Sequence, residues 1–190
     1  MLPLGVGGIL LMLILSLETS TRVCSVALHQ RGELLACYEL FTEKSHSGML
    51  TTLVQQVIEH AGFRLADLDA VAVAKGPGSY TGLRIGVSTA KGLCYALDKP
   101  LVAVNTLEAM ARQLADFVPP EALLCPMLDA RRMEVYCAIF DTNLRIIAPT
   151  LAKIVDETAF AEHLARKLVY FFGDGAAKCQ THLAHSKNAR

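Results

Sequence analysis

The apolar pattern of this chain changes period in a fixed order and then starts over, and that restart constrains the fold more than any single motif. Residues 12 to 18, 23 to 30 and 33 to 41 read as three strands, with Arg31 and Gly32 turning the second into the third as a hairpin. The period then lengthens. Leu50, Leu53, Val54, Val57 and Ala61 fall on one face of a helix over 46 to 61, with Ser45 or Ser47 placed to cap its start and Gly62 to end it. A buried strand over 68 to 76, a helix over 83 to 97, a strand over 100 to 106 and a helix over 107 to 117 complete the order βββαβαβα. After Pro119 and Pro120 the stretch "LLCPMLDARRMEVYCAIFD" again lays out strand, acidic turn and strand. Sliding the chain so that Leu17-Glu18 falls on Leu128-Asp129 also places Ala27-Leu28 on Ala138-Ile139. A strand over 143 to 155, a helix over 156 to 167 and a strand running into the glycine turn of "FGDGAAKC" follow. The polar tail "QTHLAHSKNAR" offers no clear partner element. This pattern predicts a duplicated α/β unit, one lobe over 12 to 118 and a shorter one over 119 to 190.

Composition narrows the function classes. Lys plus Arg and Asp plus Glu are 18 each, so no global positive field draws the chain to a polyanion. The six cysteines form no C-x-x-C pair and lie mostly in apolar segments, which fits a reduced, cytoplasmic protein. The opening "MLPLGVGGILLMLILSL" carries no charge, yet it lacks a basic leader and is broken by glycine and proline before running into strand pattern. It reads as an extension, residues 1 to 11, before a buried strand, with Met12 as an alternative start and no membrane segment.

The stretch "KGPGSYTGLRIG" (75 to 86) joins a strand to a helix and invites a phosphate-loop reading. Gly76, Gly78 and Gly82 give G-x-G-x-x-x-G, one residue longer than the dinucleotide fingerprint, and Gly82 is followed by Leu83 and Arg84 rather than the Lys-Ser/Thr of a P-loop. Gly82 and Gly86, four apart, instead predict a groove into which a neighbouring helix packs, with packing against the chain's own sheet as the alternative. No two histidines stand four apart, so the metallopeptidase pattern is missing, and Ser79 does not sit in a G-x-S-x-G elbow. Glu18 and Asp129, at corresponding strand ends, are expected to face each other across a cleft. Ser20, Arg131, Gly173 and Asp174 complete that candidate nucleotide or anion site. The bulky turns "ETSTR" and "DARRM" argue against a competent ATP site there.

Four segments carry a family likeness: "ILSLETSTRVCSVAL", "HSGMLTTLVQQVIEHAGF", "LDAVAVAKGPGSYTGLRIGVSTAKGLCYALDKPLVAVNTLEAMA" and "FGDGAAKC". Together they resemble the bacterial TsaB (YeaZ) family over residues 12 to about 180. The resemblance implies an actin-like ATPase fold of two ribonuclease-H-like lobes. It also implies a part in making threonylcarbamoyladenosine at position 37 of tRNAs that read codons starting with A. In that family TsaB is a non-catalytic partner of its paralogue TsaD, with TsaE as the ATPase, and tRNA is met through the complex. ATP or ADP with magnesium belongs to the assembled complex, and no cofactor or metal is expected on the chain alone. An independent enzyme, a phosphotransferase or a glycoprotease-like peptidase, is the alternative. The resemblance places the partner interface, with TsaD or with a second copy in a homodimer, on the first lobe's two helices: His46, Met49, Leu50, Leu53, Gly82, Arg84, Gly86, Val87, Ala90 and Lys91. The family pattern normally starts near Met12 and continues past "GAAKC".

Overall fold

The computed structural model describes residues 12–41 and 48–190, together with the backbone but not the side chains of residues 46 and 47. The extension over 1–11 and the capping role read for Ser45 or Ser47 lie outside the described residues. The chain divides into two compact units, Met1–Val104 and Asn105–Arg190.

In the first unit β1 (Leu13–Glu18), β2 (Cys24–Gln30) and β3 (Glu33–Leu40) form an antiparallel meander, and β4 (Ala70–Ala74) and β5 (Leu101–Val104) add in parallel, in the order β3-β2-β1-β4-β5. Arg31 and Gly32 both take positive φ, the geometry that lets a two-residue hairpin follow the strand twist. The first strand, read from its apolar run as buried, is fully covered on one face only. It alternates: Leu13, Leu15 and Leu17 are buried while Ile14, Ser16 and Glu18 are half-buried.

Helices α1 (His46–His60) and α2 (Tyr80–Leu97) supply the layer over the buried face. Leu50, Leu53, Val54, Val57 and Ile58 of α1 and Ala90 of α2 join the β1, β2 and β4 leucines and valines in one core. Each fully buried leucine there contributes about 1.5–3 kcal/mol relative to leaving it in water. Helix α2 begins at Tyr80, three residues before the predicted start, because Ser79 caps it by accepting the Gly82 N–H at 3.3 Å.

The second unit repeats the plan. β6 (Leu123–Asp129), β7 (Glu134–Asp141) and β8 (Ile146–Ile154) are antiparallel, and β9 (Val169–Phe172) pairs parallel with β6, giving β8-β7-β6-β9 against β3-β2-β1-β4. Strand order and connection confirm the two-lobed, ribonuclease-H-like architecture of the actin-like ATPase fold. The duplication slips, however. Glu18 pairs with Ser25 but Asp129 pairs with Val135, so the second turn is one residue shorter and Ala27 corresponds to Cys137, not Ala138.

Helix α3 (Thr106–Ala115) packs Leu107, Ala111 and Ala115 on Leu124, Leu128, Ala138 and Phe140. The boundary between units therefore precedes α3, not the prolines at 119 and 120. The predicted helix over 156 to 167 shrinks to α4 (Ala161–Leu164), because the Asp156 carboxylate binds the amides of Thr158 and Ala159 and Phe160 takes φ +65. The segment expected to stay unpartnered folds. Its first four residues complete α5 (Ala176–Leu183), and residues 188–190 then pair along β9, with Val169 N–H donating to Asn188 O at 2.9 Å and Phe171 N–H to Arg190 O at 2.8 Å.

Candidate functional site

Because β1 and β4 run parallel, the turns that leave their C-terminal ends meet at the same end of the first sheet, the end at which open α/β sheets bind ligands. These are the turn that starts at Glu18 and the "GPGS" loop. They are locked together. The Ser79 N–H donates to Ser20 O at 2.6 Å, the Ser20 N–H donates to Glu18 Oε1 at 2.5 Å, and the Thr19 hydroxyl donates to Gly82 O at 2.8 Å. A Cβ on Gly78 would stand 2.6 Å from Ser20 Cβ, and one on Gly82 would fall well inside 3 Å of Thr19 O. Only glycine allows this approach.

The expected groove for a second helix at Gly82 and Gly86 is thus filled by the chain itself. Both glycines and Ala90 are buried, turned toward Thr19 and the core. Leu50 is 1% exposed and Leu53 is buried beside it, so these two side chains belong to the core rather than to a surface. Val87 is half-buried against the same core, and the side chain of His46 lies outside the described residues. Of the predicted interface set, Met49, Arg84 and Lys91 face outward.

The outer face of α2 is broader than the sequence reading allowed. Arg84 lies over the Tyr80 ring at 5.6 Å, a cation–π contact, and Tyr80, Thr81, Arg84, Ile85, Ser88 and Thr89 line an open groove of about 410 Å³. Tyr80 is 74% exposed and Tyr95 is 91% exposed. Tyr95 shares a helical face with Arg84, Ser88 and Lys91, a spacing visible in the sequence. Thr19 left no such signal, since its role depends on two segments distant in the chain.

In the second unit a glycine turn again presses on the end of the first strand. A Cβ on Gly175 would lie 2.8 Å from the Leu128 carbonyl carbon, and one on Gly173 would meet Met127 O. Asp174 accepts the Asp129 N–H at 2.9 Å, Asp129 accepts the Arg131 N–H at 2.8 Å, and the Lys178 ammonium ion-pairs Asp129. Each of the two acids read as candidate cleft residues is held within its own unit, Glu18 by Ser20 and Asp129 by Lys178. Among the described residues no group of three His, Cys, Asp or Glu is placed to hold a metal ion, and no helix is long and apolar enough to cross a membrane.

Comparison with known proteins agrees with this architecture. Residues 40–182 match the family model described as TsaD, tRNA N6-adenosine threonylcarbamoyltransferase. The chain is 38% identical over 129 residues to the protein named tRNA threonylcarbamoyladenosine biosynthesis protein TsaB of Bacillus subtilis (strain 168), covering 68% of this chain and 55% of that one. It is 39% identical over 132 residues to the TsaB of Escherichia coli (strain K12), covering 70% and 56%. The chain therefore spans about half the length of the curated relatives it matches. The solved structure of YeaZ from Pseudomonas aeruginosa superposes with a TM-score of 0.77 at 28% identity, over 90% of this chain and 79% of that one. From the duplicated strand order, the glycine turn locked on β1 and these likenesses together, the chain belongs to the TsaB (YeaZ) family.

Proposed function

We propose that this chain is a non-catalytic subunit that pairs with a TsaD-like paralogue and supports formation of threonylcarbamoyladenosine at position 37 of tRNA. The observation that carries this reading is the outer face of α2. In a chain of this family, a cation–π pair, an exposed second tyrosine and a lysine stand on one rigid helix whose opposite side is fixed to the core. Exposed aromatic residues and arginine are the side chains that anchor protein interfaces. A TsaE-like ATPase and tRNA join through the complex, and the chain alone uses the same face to pair with a second copy in the cytoplasm.

Any ATP or ADP with magnesium is assigned to the assembled complex, not to this chain's turns by themselves. The polar groups that would receive phosphate or metal are engaged internally: Ser20 N–H with Glu18, and Asp129 with Lys178.

The reading is tested by mixing the protein with the TsaD-like paralogue of its own organism, then repeating with Arg84→Glu and Tyr95→Glu. Co-elution of the parent, weakened by both variants, supports it, as does a matching loss of threonylcarbamoyladenosine in digested tRNA from cells carrying them. No complex with the parent, or full modification with both variants, overturns it.

A further inference from the structure

We infer that Thr19 is a positioning residue for the α2 docking face, a wedge on β1 that sets where the first turns of α2 lie and so where Tyr80 and Arg84 are presented. This rests on the reading of that face as the docking surface.

The geometry is specific. Thr19 is fully buried just past the end of β1 and touches α2 with two different parts of itself. Its backbone oxygen blocks any Cβ at Gly82, one turn into the helix. Its side-chain oxygen blocks any Cβ at Gly86, one turn further, and donates to the Gly82 carbonyl at 2.8 Å. Gly82 and Gly86 are therefore seated on one residue, and the outward side of the same two turns carries Tyr80, Thr81, Arg84 and Ser88. The next residue extends the clasp, since Ser20 O receives the Ser79 N–H at 2.6 Å. A change in the volume of Thr19 or of either glycine has only one direction of relief. The facing atoms on the other side are the sheet, so α2 must move outward and carry its exposed face with it.

The two glycines differ in a way that makes the inference sharp. The obstruction at Gly86 is the Thr19 hydroxyl, and behind it Thr19 Cβ stands 3.5 Å away, an ordinary contact. The obstruction at Gly82 is backbone, which no substitution of Thr19 removes. Gly86→Ala is thus expected to be rescued by Thr19→Ala, whereas Gly82→Ala is not. That selectivity follows from which Thr19 atom each glycine meets, a side-chain oxygen at Gly86 and a backbone oxygen at Gly82.

The test uses the full chain and the purified TsaD-like paralogue, with affinity read by calorimetry and the amides of residues 79–88 read by hydrogen exchange. Thr19→Ser, which keeps the hydroxyl, is expected to bind within about threefold of the parent. Gly86→Ala is expected to bind at least tenfold more weakly and to exchange faster over 79–88. Gly86→Ala with Thr19→Ala returns both readouts to within about threefold, and Gly82→Ala with Thr19→Ala recovers neither. If Gly86→Ala alone does not fold, the comparison passes to the two double variants, which must still differ in this sense. A Gly86→Ala variant that folds and binds like the parent, or a double variant at 86 that stays weak, overturns the inference. A parent that does not bind the paralogue overturns the proposed function instead, and the exchange readout alone then decides whether Thr19 seats the helix.

Discussion

Lys178 closes an ion pair on Asp129 and in the same reach donates to the Glu134 carbonyl at 2.7 Å, so one ammonium ties α5 to the end of β6 and the start of β7. The side chain of Lys178 is 23% exposed, which keeps the pair partly shielded from solvent. Replacing the ammonium by an apolar chain of similar length removes one donor from the Asp129 carboxylate, which keeps the Arg131 N–H, and one from the Glu134 carbonyl, which keeps the Ala130 N–H. Lys178→Met is expected to lower stability by about 1–2 kcal/mol, less than a fully buried pair would, because Asp129 remains partly in water. Urea unfolding checks this as a shift in midpoint without a change in slope. An unchanged midpoint would remove the structural role given to the lysine.

Two glycines with positive φ should respond very differently to alanine. Gly32, φ +79, sits at the β2–β3 turn with open space around it, so Gly32→Ala meets only the left-handed backbone penalty of about 1 kcal/mol. Gly173, φ +105, carries the same penalty, and its new Cβ would also meet Met127 O and lie 2.6 Å from Met110 Cε. Gly173→Ala is expected to cost about 3 kcal/mol. Thermal melts of the two variants side by side give the ranking. Equal losses would mean that the glycine turn does not press on β6.

Asp156 supplies a pH test. The Thr158 hydroxyl at 2.7 Å, with the Thr158 and Ala159 amides, holds its carboxyl below the ordinary 3.8. A depressed folded-state value means that the unfolded chain takes up the proton first. The stabilising contribution is therefore present above 3.8 and is lost as the pH falls through the lower folded-state value. Asp156→Asn keeps the acceptor oxygen but cannot titrate. The stability difference between parent and variant is expected to shrink as the pH is lowered from about 6 to about 2. A difference constant across that range would assign the turn no electrostatic part.

Much of the fold was legible because its signals are local. The Arg31-Gly32 turn, the five-residue apolar stripe of α1 and the acidic strand ends at Glu18 and Asp129 can each be read within a dozen residues. Where local signals competed, the reading failed. "DETAFAEHLARK" has good helix formers, but Asp156 captures its neighbours' amides and ends the helix before it starts. Helix α5 did leave a trace, since Ala176, Cys179 and Leu183 lie at helical spacing, but the polar residues between them hid it.

The candidate site was legible only by half. Arg84 and Lys91 belong to the predicted interface set, and the same helical spacing carries Ser88 and Tyr95. The error lay in the glycines. A G-x-x-x-G spacing says that something approaches closely, and nothing in a sequence says whether that something is another molecule or the same chain. Thr19 stands more than sixty residues earlier and shows no pattern of its own, so only the folded chain reveals it as the occupant.

Residues 188–190 lie along β9 in the position that β5 takes beside β4 in the first unit. Val169 and Phe171 donate into this short stretch, and the Arg190 N–H donates back to Val169 O at 3.0 Å. Without it, the rim of the second sheet would present a row of unpaired amides and carbonyls, the template on which separate molecules stack into aggregates. Asn188, Ala189 and Arg190, barely a strand, thus cover this stretch of the rim, so disrupting their pairing should be felt first in how the protein behaves at high concentration.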